Sequence, residues 1–242
     1  MQLIVLSAGK GSRLPARFRT KPKCLVELSN KPLLLYNNDF FKKFKKKIIV
    51  TGYKKNLLKI ISMKNGFNAI YNKDYSKTNM VYSLFLAKKS VTEDVVIVYG
   101  DIIFDQNIYE LLNEKKNLLP VNINWLKNWK KRMTMNNILK DAENLIIRNG
   151  KLFEIGTKLY KNKLPKHQFM GIIKLKKDAF IKCKNFFKKL KNDKIDMTSF
   201  LNLCVKKNII SIKTITYKSF WYEIDTIADY KFAQKDVKKI KF

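Results

Sequence analysis

The sequence reads QLIVLSAGKGSRL from Gln2 to Leu14, where an uninterrupted apolar run leads directly into a loop of small residues. The run Leu3 to Leu6 lacks polar alternation, so it is typical of a parallel-sheet strand that is buried on both faces. In the loop, small residues let backbone N–H groups approach phosphate oxygens, and Lys10 and Arg13 supply positive charge. The stretch predicts a first strand followed by a phosphate-binding turn.

This loop does not fit the two best-known phosphate-binding patterns. It contains no GxxxxGK[ST], and Leu14 occupies the position of the third glycine of GxGxxG. A second lysine-bearing turn follows, with the sequence KPKCL from Lys21 to Leu25, and it can reach the same polyphosphate. The alternative is a glycine turn and one more surface lysine in a lysine-rich chain.

Strand and helix patterns alternate from this loop onward. In the first half we predict an extended piece at Cys24–Leu28, a helix from Pro32, strands at Lys47–Thr51, Phe67–Tyr71 and Val95–Tyr99, and helices at Lys54–Met63 and Asn79–Lys89. In the second half we predict strands at Leu118–Ile123, Leu145–Arg148, Lys151–Ile155, Phe169–Leu175 and Ile209–Thr216, and helices at Lys177–Lys189, at Met197–Lys206 and from Thr226.

This order of elements predicts the fold class and the place of the chemistry. It indicates an α/β fold with a Rossmann-like, mostly parallel mixed sheet flanked by helices. We expect one domain over 1–242, with a nucleotide-binding half at 1–117 and an acceptor-binding half at 118–242. Ligands bind beyond the carboxyl ends of strands in such sheets, so the chemistry belongs just after Ser7 and after Tyr99.

The composition gives a formal net charge of +32, which by itself would favour a nucleic-acid partner. The positive residues are nearly all lysines spread along the chain, whereas a base-reading protein more often shows arginine clusters or aromatic stacking positions. We therefore expect solvated lysine faces and no nucleic-acid partner. Because no apolar run approaches the roughly 20 residues that span a bilayer, we expect no stable membrane insertion and a cytoplasmic location.

Cysteine and histidine chemistry is not indicated. Cys24, Cys183 and Cys204 lack metal-ligand spacing and are expected to be reduced, and the sole histidine, His167, cannot build a catalytic triad or a zinc site.

The combination LSAGKGSRL, KPKCLVEL and NKPLL closely resembles the MobA-like nucleotidyltransferase superfamily, which activates sugar phosphates, phosphocholine and related phosphonates. The resemblance covers the chain to its C-terminal end and implies the nucleotide-diphospho-sugar transferase type of fold. Tyr99-Gly100-Asp101 looks like the family's strand-end metal aspartate. The segment WYEID, from Trp221 to Asp225, looks like the one that returns the second metal ligand. Asn79 and Ser83 match the NxxYS segment of the phosphocholine cytidylyltransferase branch, where they lie near the nucleotide.

The resemblance implies a Mg²⁺-dependent transfer of CMP from CTP to a small phosphorylated or phosphonate acceptor, with release of pyrophosphate. A phosphate monoester with a second pKa of about 6 is already ionised at neutral pH, so no general base is required. The implied catalytic residues are Arg13, Lys23, Asp101 and Asp225, of which the two aspartates bind the metal. The implied nucleotide-binding residues are Ser7, Ala8, Gly9, Lys10, Gly11, Ser12, Asn79, Ser83 and Gly100. Taken separately, each aspartate has a structural alternative as a helix cap.

The acceptor is less constrained by sequence. The resemblance favours phosphocholine, followed closely by an aminophosphonate, because aromatic faces and carboxylates both attract an organic cation. The implied acceptor-binding residues are Trp129, Gly171, Asp196, Trp221, Tyr222 and Glu223. Two alternatives stay open: a sugar-1-phosphate nucleotidyltransferase, whose pocket would bind hydroxyl groups, and a basic nucleic-acid-binding protein, whose lysines would form one stripe. A monomer and a homodimer are equally compatible with the sequence.

Overall fold

The structure is a computed structural model that describes residues 1–237. Its strands are β1 (Gln2–Ser7), β2 (Glu27–Leu28), β3 (Lys31–Pro32), β4 (Lys47–Thr51), β5 (Asn68–Tyr71), β6 (Val95–Tyr99), β7 (Ile102–Phe104), β8 (Leu118–Asn122), β9 (Asn144–Arg148), β10 (Lys151–Thr157), β11 (Gln168–Phe169), β12 (Ile172–Leu175), β13 (Lys213–Tyr217) and β14 (Trp221–Glu223). Its helices are α1 (Asn38–Lys42), α2 (Lys55–Lys64), α3 (Met80–Leu86), α4 (Ile108–Leu111), α5 (Trp125–Trp129), α6 (Met135–Asp141), α7 (Lys177–Leu190), α8 (Met197–Lys206) and α9 (Ile227–Val237).

A ten-stranded mixed sheet forms the centre of the molecule. Its order is β5-β4-β1-β6-β12-β8-β13-β10-β9, and β11 pairs with β8. The strands β4, β1 and β6 run parallel, with Ser7 opposite Thr51 and Leu6 opposite Tyr99. The carboxyl ends of these strands therefore meet at one edge, and the residues after Ser7 and Tyr99 emerge together. This arrangement confirms the predicted α/β fold class.

The apolar run of β1 is explained by its two neighbours. Ile4 and Leu6 pack into the cluster that includes α7 and α8, whereas Leu3 and Val5 pack into the cluster on the opposite face. All four side chains are buried. Burying an aliphatic side chain of this size contributes about 1.5–3 kcal/mol to folding stability. Packing on both faces of the sheet therefore stabilises this strand.

Several predicted elements have different bounds in the structure. The chain from Leu33 to Asn37 is a 3₁₀ turn before the short α1, and the predicted extended piece begins as a 3₁₀ turn at Lys23–Leu25. The strand predicted at Phe169–Leu175 is interrupted because Gly171 has a φ of +76°. The strand predicted from Ile209 begins only at Lys213. Ile210 and Ile212 are buried in the core, as the apolar pattern indicates, but they precede the strand.

A two-stranded ladder that sequence patterns did not predict matters most for the site. Strand β14 pairs antiparallel with β7, with Glu223 opposite Ile102. This pairing joins two segments more than a hundred residues apart along the chain. Within residues 1–237, no helix has the length and apolar character that a membrane span requires.

Candidate active site

A cavity of about 360 Å³ lies at the carboxyl edge of β1 and β6. It is lined by the glycine loop, the turn at Lys23, the first turn of α3 and the residues that follow β6. Its lining includes all the predicted nucleotide-binding and catalytic residues: Ser7, Ala8, Gly9, Lys10, Gly11, Ser12, Arg13, Lys23, Asn79, Ser83, Gly100, Asp101 and Asp225. The structure thus brings that predicted set together around one space.

Two glycines permit the close packing of this edge. A Cβ atom on Gly100 would lie 2.0 Å from the Ser7 hydroxyl oxygen, so only glycine lets the chain after β6 pass beside the end of β1. Gly11 has a φ of +70°, and a Cβ atom there would lie 3.0 Å from the Cβ atom of Lys23. The loop therefore lies directly against the lysine-bearing turn.

Asp101 and Asp225 converge because β7 and β14 are paired. Asp101 precedes β7, Asp225 follows β14, and the Ile224 amide donates to the Asp101 carbonyl oxygen at 3.1 Å. The Lys23 ammonium lies between the two carboxylates, 2.6 Å from Asp101 Oδ2 and also paired with Asp225 Oδ1. Arg13 approaches Asp225 Oδ2 at 2.7 Å from the loop side.

This charge cluster shifts the pKa values of its members. Burial opposes the charged form of Lys23, but the carboxylates of Asp101 and Asp225 outweigh it and raise the Lys23 pKa. Burial, followed by the charges of Asp225 and Asp101, raises the pKa of Glu223 to about 8. In the described residues the Glu223 carboxylate has no salt bridge or hydrogen bond. Lys23 and Arg13 are paired with Asp101 and Asp225, so Glu223 is a third acidic group with no cation of its own within residues 1–237.

Asp101 and Asp225 provide the oxygen ligands that a hard divalent cation requires. Asp101 Oδ1 is buried and has no hydrogen-bond partner among residues 1–237, so one carboxylate oxygen is available. The same part of the chain contains no cluster of three or more acidic, cysteine or histidine side chains arranged to hold a metal. Two carboxylates completed by ligand oxygens and water fit Mg²⁺, which is commonly bound in this way.

At the far end of the cavity, hydrogen bonds fix the roles of two predicted residues. Asn79 caps α3: its Oδ1 accepts from the Met80 amide at 2.7 Å, and its Nδ2 donates to the Lys194 carbonyl at 3.2 Å. Asn79 is therefore largely occupied by structural contacts. Ser83 Oγ accepts from Asn72 Nδ2 at 2.9 Å, so its own proton remains available toward the cavity. Sequence patterns missed Asn72, which is buried and has no motif signal.

A second cavity of about 190 Å³ adjoins the first, and Arg13, Met80, Tyr99 and Asp225 line both. Of the predicted acceptor-binding residues, Trp129, Gly171, Asp196 and Glu223 line it. The lining carboxylates are Asp141, Glu143, Asp196, Glu223 and Asp225. Sequence analysis missed Asp141 and Glu143. Among the described residues of the lining, five carboxylates with Arg13 as the one lysine or arginine are an unusual set in a chain with 51 lysines and arginines.

Trp221 and Tyr222 do not line this cavity; together with Trp129 and Glu223 they line a smaller one nearby. Trp221 is buried in an apolar cluster, and the Tyr222 hydroxyl donates to Asp236 Oδ2 at 2.8 Å while its ring packs on Phe232. The reason is that β14 is covered on both faces. Its last residue, Glu223, is the one that reaches the cavity.

Asp196 lines the cavity but also caps α8. Its carboxylate accepts from the Ser199 amide and from the Ser199 hydroxyl, both at 2.8 Å. The Thr198 hydroxyl lies 3.1 Å from carboxylate oxygens of both Asp196 and Glu143. Burial, and then the charges of Asp196 and Asp141, raise the pKa of Glu143.

Comparison with known proteins is consistent with this geometry. Residues 3–123 match the family model of the MobA-like NTP transferase domain. The chain is 32% identical to a CTP:phosphoglutamine cytidylyltransferase of Campylobacter jejuni, over 95% of this chain and 97% of that protein. It is 34% identical to a choline-phosphate cytidylyltransferase of Streptococcus pneumoniae, but over 43% of this chain and 46% of that enzyme.

Solved structures share the fold over nearly the whole chain. A CTP:phosphocholine cytidylyltransferase from Streptococcus pneumoniae superposes with a TM-score of 0.78 and 20% identity, covering 98% of each chain. An inositol-1-phosphate CTP transferase from T. maritima also gives 0.78, with 18% identity over 100% of this chain and 98% of that one. Because the family model matches residues 3–123 and the Campylobacter jejuni enzyme is 32% identical over 95% of the chain, this chain belongs to the MobA-like NTP transferase family.

Proposed function

We propose that this protein transfers CMP from CTP to a small phosphorylated acceptor that carries a cationic nitrogen, and releases pyrophosphate. One observation carries the proposal: a cavity bordered by a glycine loop with lysine and arginine adjoins a cavity lined by five carboxylates, and the two share Arg13 and Asp225. The first has the chemistry of a triphosphate site. The second has the chemistry of a cation site.

In the proposed reaction, an oxygen of the acceptor phosphate attacks the α-phosphorus of CTP. A new P–O bond forms, the bond between the α-phosphorus and the β-bridging oxygen breaks, and pyrophosphate leaves with that electron pair. Both reactants are anions, so the chain's main task is to hold them together and neutralise their charge. Lys10, Arg13 and Lys23, with the amides of the glycine loop, are placed to do this.

Asp101 and Asp225 would hold a Mg²⁺ ion at the junction of the two cavities. Bound there, the ion would supply positive charge to the triphosphate and the departing pyrophosphate. The unpartnered Oδ1 of Asp101 supports this assignment. Lys23, between the same two carboxylates, keeps their charge balanced within the chain itself.

The acceptor class follows from the second cavity. Carboxylates accept hydrogen bonds from a primary ammonium group, and the rings of Tyr99, Trp129 and Phe169 in the same lining attract organic cations. Phosphoglutamine and phosphocholine both carry a cationic nitrogen. The similarity over 95% of the chain to the enzyme named for phosphoglutamine favours that acceptor, and phosphocholine is the second candidate.

The two halves of the chain are proposed to divide these tasks. The first cavity is lined by residues of 1–117 together with Asp225, whereas the second is lined mainly by residues beyond 118. We therefore assign nucleotide binding to 1–117 and acceptor binding to 118–242. The last five of these residues lie outside the described part of the chain.

A pyrophosphate-release screen tests the proposed function. Each of the four NTPs is combined with phosphoglutamine, phosphocholine, phosphoethanolamine, 2-aminoethylphosphonate or glucose 1-phosphate, with Mg²⁺ or with chelator. We expect turnover with CTP and a nitrogen-bearing acceptor, and none with chelator. If glucose 1-phosphate were the only acceptor that supports turnover, the second cavity would be a sugar site and not a cation site. The absence of turnover with every pair would refute the proposal.

A further inference from the structure

Asp229 is more deeply buried than any other carboxylate in residues 1–237, with 2% of its surface exposed. It does not line the first cavity. A carboxylate buried to this extent is stable only when charge and hydrogen bonds compensate its lost hydration. The hydrogen bonds and the ion pair of Asp229 therefore indicate the role of this residue.

The two oxygens of Asp229 have different partners. Oδ2 accepts three hydrogen bonds, from the amides of Asp225 at 3.0 Å and Thr226 at 2.7 Å and from the Thr226 hydroxyl at 2.9 Å. Oδ1 is paired with the guanidinium of Arg132, which comes from a segment 97 residues earlier. One side chain thus connects the chain at Asp225 to the loop after α5.

A helix cap accounts for only part of this arrangement. Thr226 and Asp229 form reciprocal hydrogen bonds at the start of α9, as in a capping box. Such a cap requires neither a bond to the amide of Asp225 nor a buried arginine. The Arg132 guanidinium is also 5.2 Å from the ring centre of Trp129, a residue of the second cavity.

We propose that Asp229, held by Arg132, is a positioning residue for Asp225. Asp229 accepts a hydrogen bond from the backbone amide of Asp225. This bond fixes the backbone of Asp225 while its carboxylate pairs with Arg13 and Lys23 at the first cavity. The inference rests on the proposed function, which gives Asp225 its role as a metal ligand. It adds two residues that touch neither nucleotide nor metal.

The matched control is Thr226→Ala, which removes the capping hydroxyl but leaves the bond from the Asp225 amide to Asp229. The Thr226 hydroxyl is one donor to Asp229 Oδ2, and without it the Asp229 carboxylate keeps two amides and Arg132 as partners. We therefore expect this variant to lower Tm and to change the Mg²⁺ concentration for half-maximal rate far less than removal of Asp229. Asp229→Ala and Arg132→Met are expected to raise that Mg²⁺ concentration about 10–100-fold, the range found when a group that orients a metal ligand is removed. Asp229→Asn, which keeps an acceptor oxygen, should recover part of the loss.

A second measurement does not depend on turnover. Binding of Mn²⁺ in the presence of CTP, followed by electron paramagnetic resonance, should weaken far more in Asp229→Ala and Arg132→Met than in Thr226→Ala. Equal Mn²⁺ affinity in all variants would reduce Asp229 to a helix cap and overturn the inference. If Asp229→Ala does not fold, Asp229→Asn and Arg132→Lys decide by the same comparison. A wild type that binds Mn²⁺ with CTP but turns over no acceptor would refute the proposed function and leave the positioning test intact.

Discussion

At the scale of single residues, the site depends on the carboxylate of Asp101, whose side chain is 25% exposed although its Oδ1 atom is buried. Asp101 contributes one oxygen to Lys23 and leaves the other without a partner in the described chain. Buried unsatisfied oxygens are rare in folded proteins and call for an explanation by strain, catalysis or a missing ion. The carboxylate that carries this oxygen shares Lys23 with Asp225, and this pairing of two aspartates favours the ion.

Replacing Asp101 by Asn tests this explanation. We expect turnover to fall by about two to three orders of magnitude, as when one preorganised electrostatic group is removed from an active site. Stability should change little, because Lys23 keeps Asp225 as its partner and one negative charge leaves a crowded cluster.

Pyrophosphate release and thermal unfolding measure the effects of Asp101→Asn on turnover and on stability. The control is Asp39→Asn, which removes an exposed ion pair with Lys42 and should be fully active. More than half of wild-type turnover in the Asp101 variant would exclude the metal role.

Glu143 gives a prediction about pH. Burial, together with Asp196 on α8 and Asp141 on α6, raises its folded pKa above the ordinary 4.5, while the Thr198 hydroxyl lowers it. Stability is therefore lost as the pH rises from 4.5 through the folded pKa, since folding disfavours the charged form. Glu143→Gln should be more stable than wild type at neutral pH, with the difference vanishing below pH 4.5. Urea unfolding at pH 4 to 8 measures it.

Glu154 is the control with the opposite sign. The Thr157 hydroxyl, followed by Lys206 and Asn144, lowers its folded pKa despite some burial. Its contribution is present above the unfolded pKa and is lost as the pH falls, so Glu154→Gln should be less stable than wild type at neutral pH. Parallel behaviour of the two variants would contradict the assignment of Glu143 to an acidic cavity.

At the scale of elements, the sequence predicted those segments whose own residue pattern is strong enough to specify a strand or a loop. The apolar run of β1 and the glycine loop after it lie where they were predicted, because both faces of β1 are buried and the loop follows directly. The ladder between β7 and β14 was not predicted, since three-residue strands carry too little pattern. For the same reason Trp221 and Tyr222 could not be assigned to the core from sequence. Asp141 and Glu143 were missed because isolated acidic residues have no motif.

Helix α8 combines a structural and a functional use of one residue. Asp196 caps the helix and faces the second cavity, so two substitutions separate these uses. Asp196→Ala should lose about 1 kcal/mol of stability, the usual cost of an N-cap, whereas Asp196→Asn retains the cap. The Asn variant should still raise the acceptor KM about tenfold or more, because a charged hydrogen bond contributes about 1.5–3 kcal/mol.

Steady-state kinetics and urea unfolding of both Asp196 variants measure these effects. An Asn variant with a wild-type acceptor KM would limit Asp196 to its role in the helix. A KM for CTP that rises together with the acceptor KM would instead indicate a general disturbance of the site.

At the scale of the whole molecule, charge is distributed unequally. The chain has a formal net charge of +32 and 19 acidic residues, yet Asp141, Glu143, Asp196, Glu223 and Asp225 line a single cavity. The surface field therefore attracts anions such as CTP and the acceptor phosphate. Inside the second cavity the local field favours a cation. A zwitterionic phosphorylated acceptor matches both.

This distribution predicts a specific dependence on salt. Because the Debye length falls from about 30 Å at 0.01 M to about 10 Å at 0.1 M, added salt screens the lysine field before it reaches groups within the cavities. We expect kcat/KM for CTP to fall about tenfold or more between 0.01 and 0.3 M NaCl, the lower end of the known range for electrostatic steering. The rate with both substrates saturating should change little, because steering acts on encounter and not on the bound complex. Stopped-flow or steady-state assays at constant free Mg²⁺ measure both quantities. A kcat/KM that is insensitive to salt would mean that the excess of lysine has no part in substrate capture, and that the cavity charges alone select the substrates.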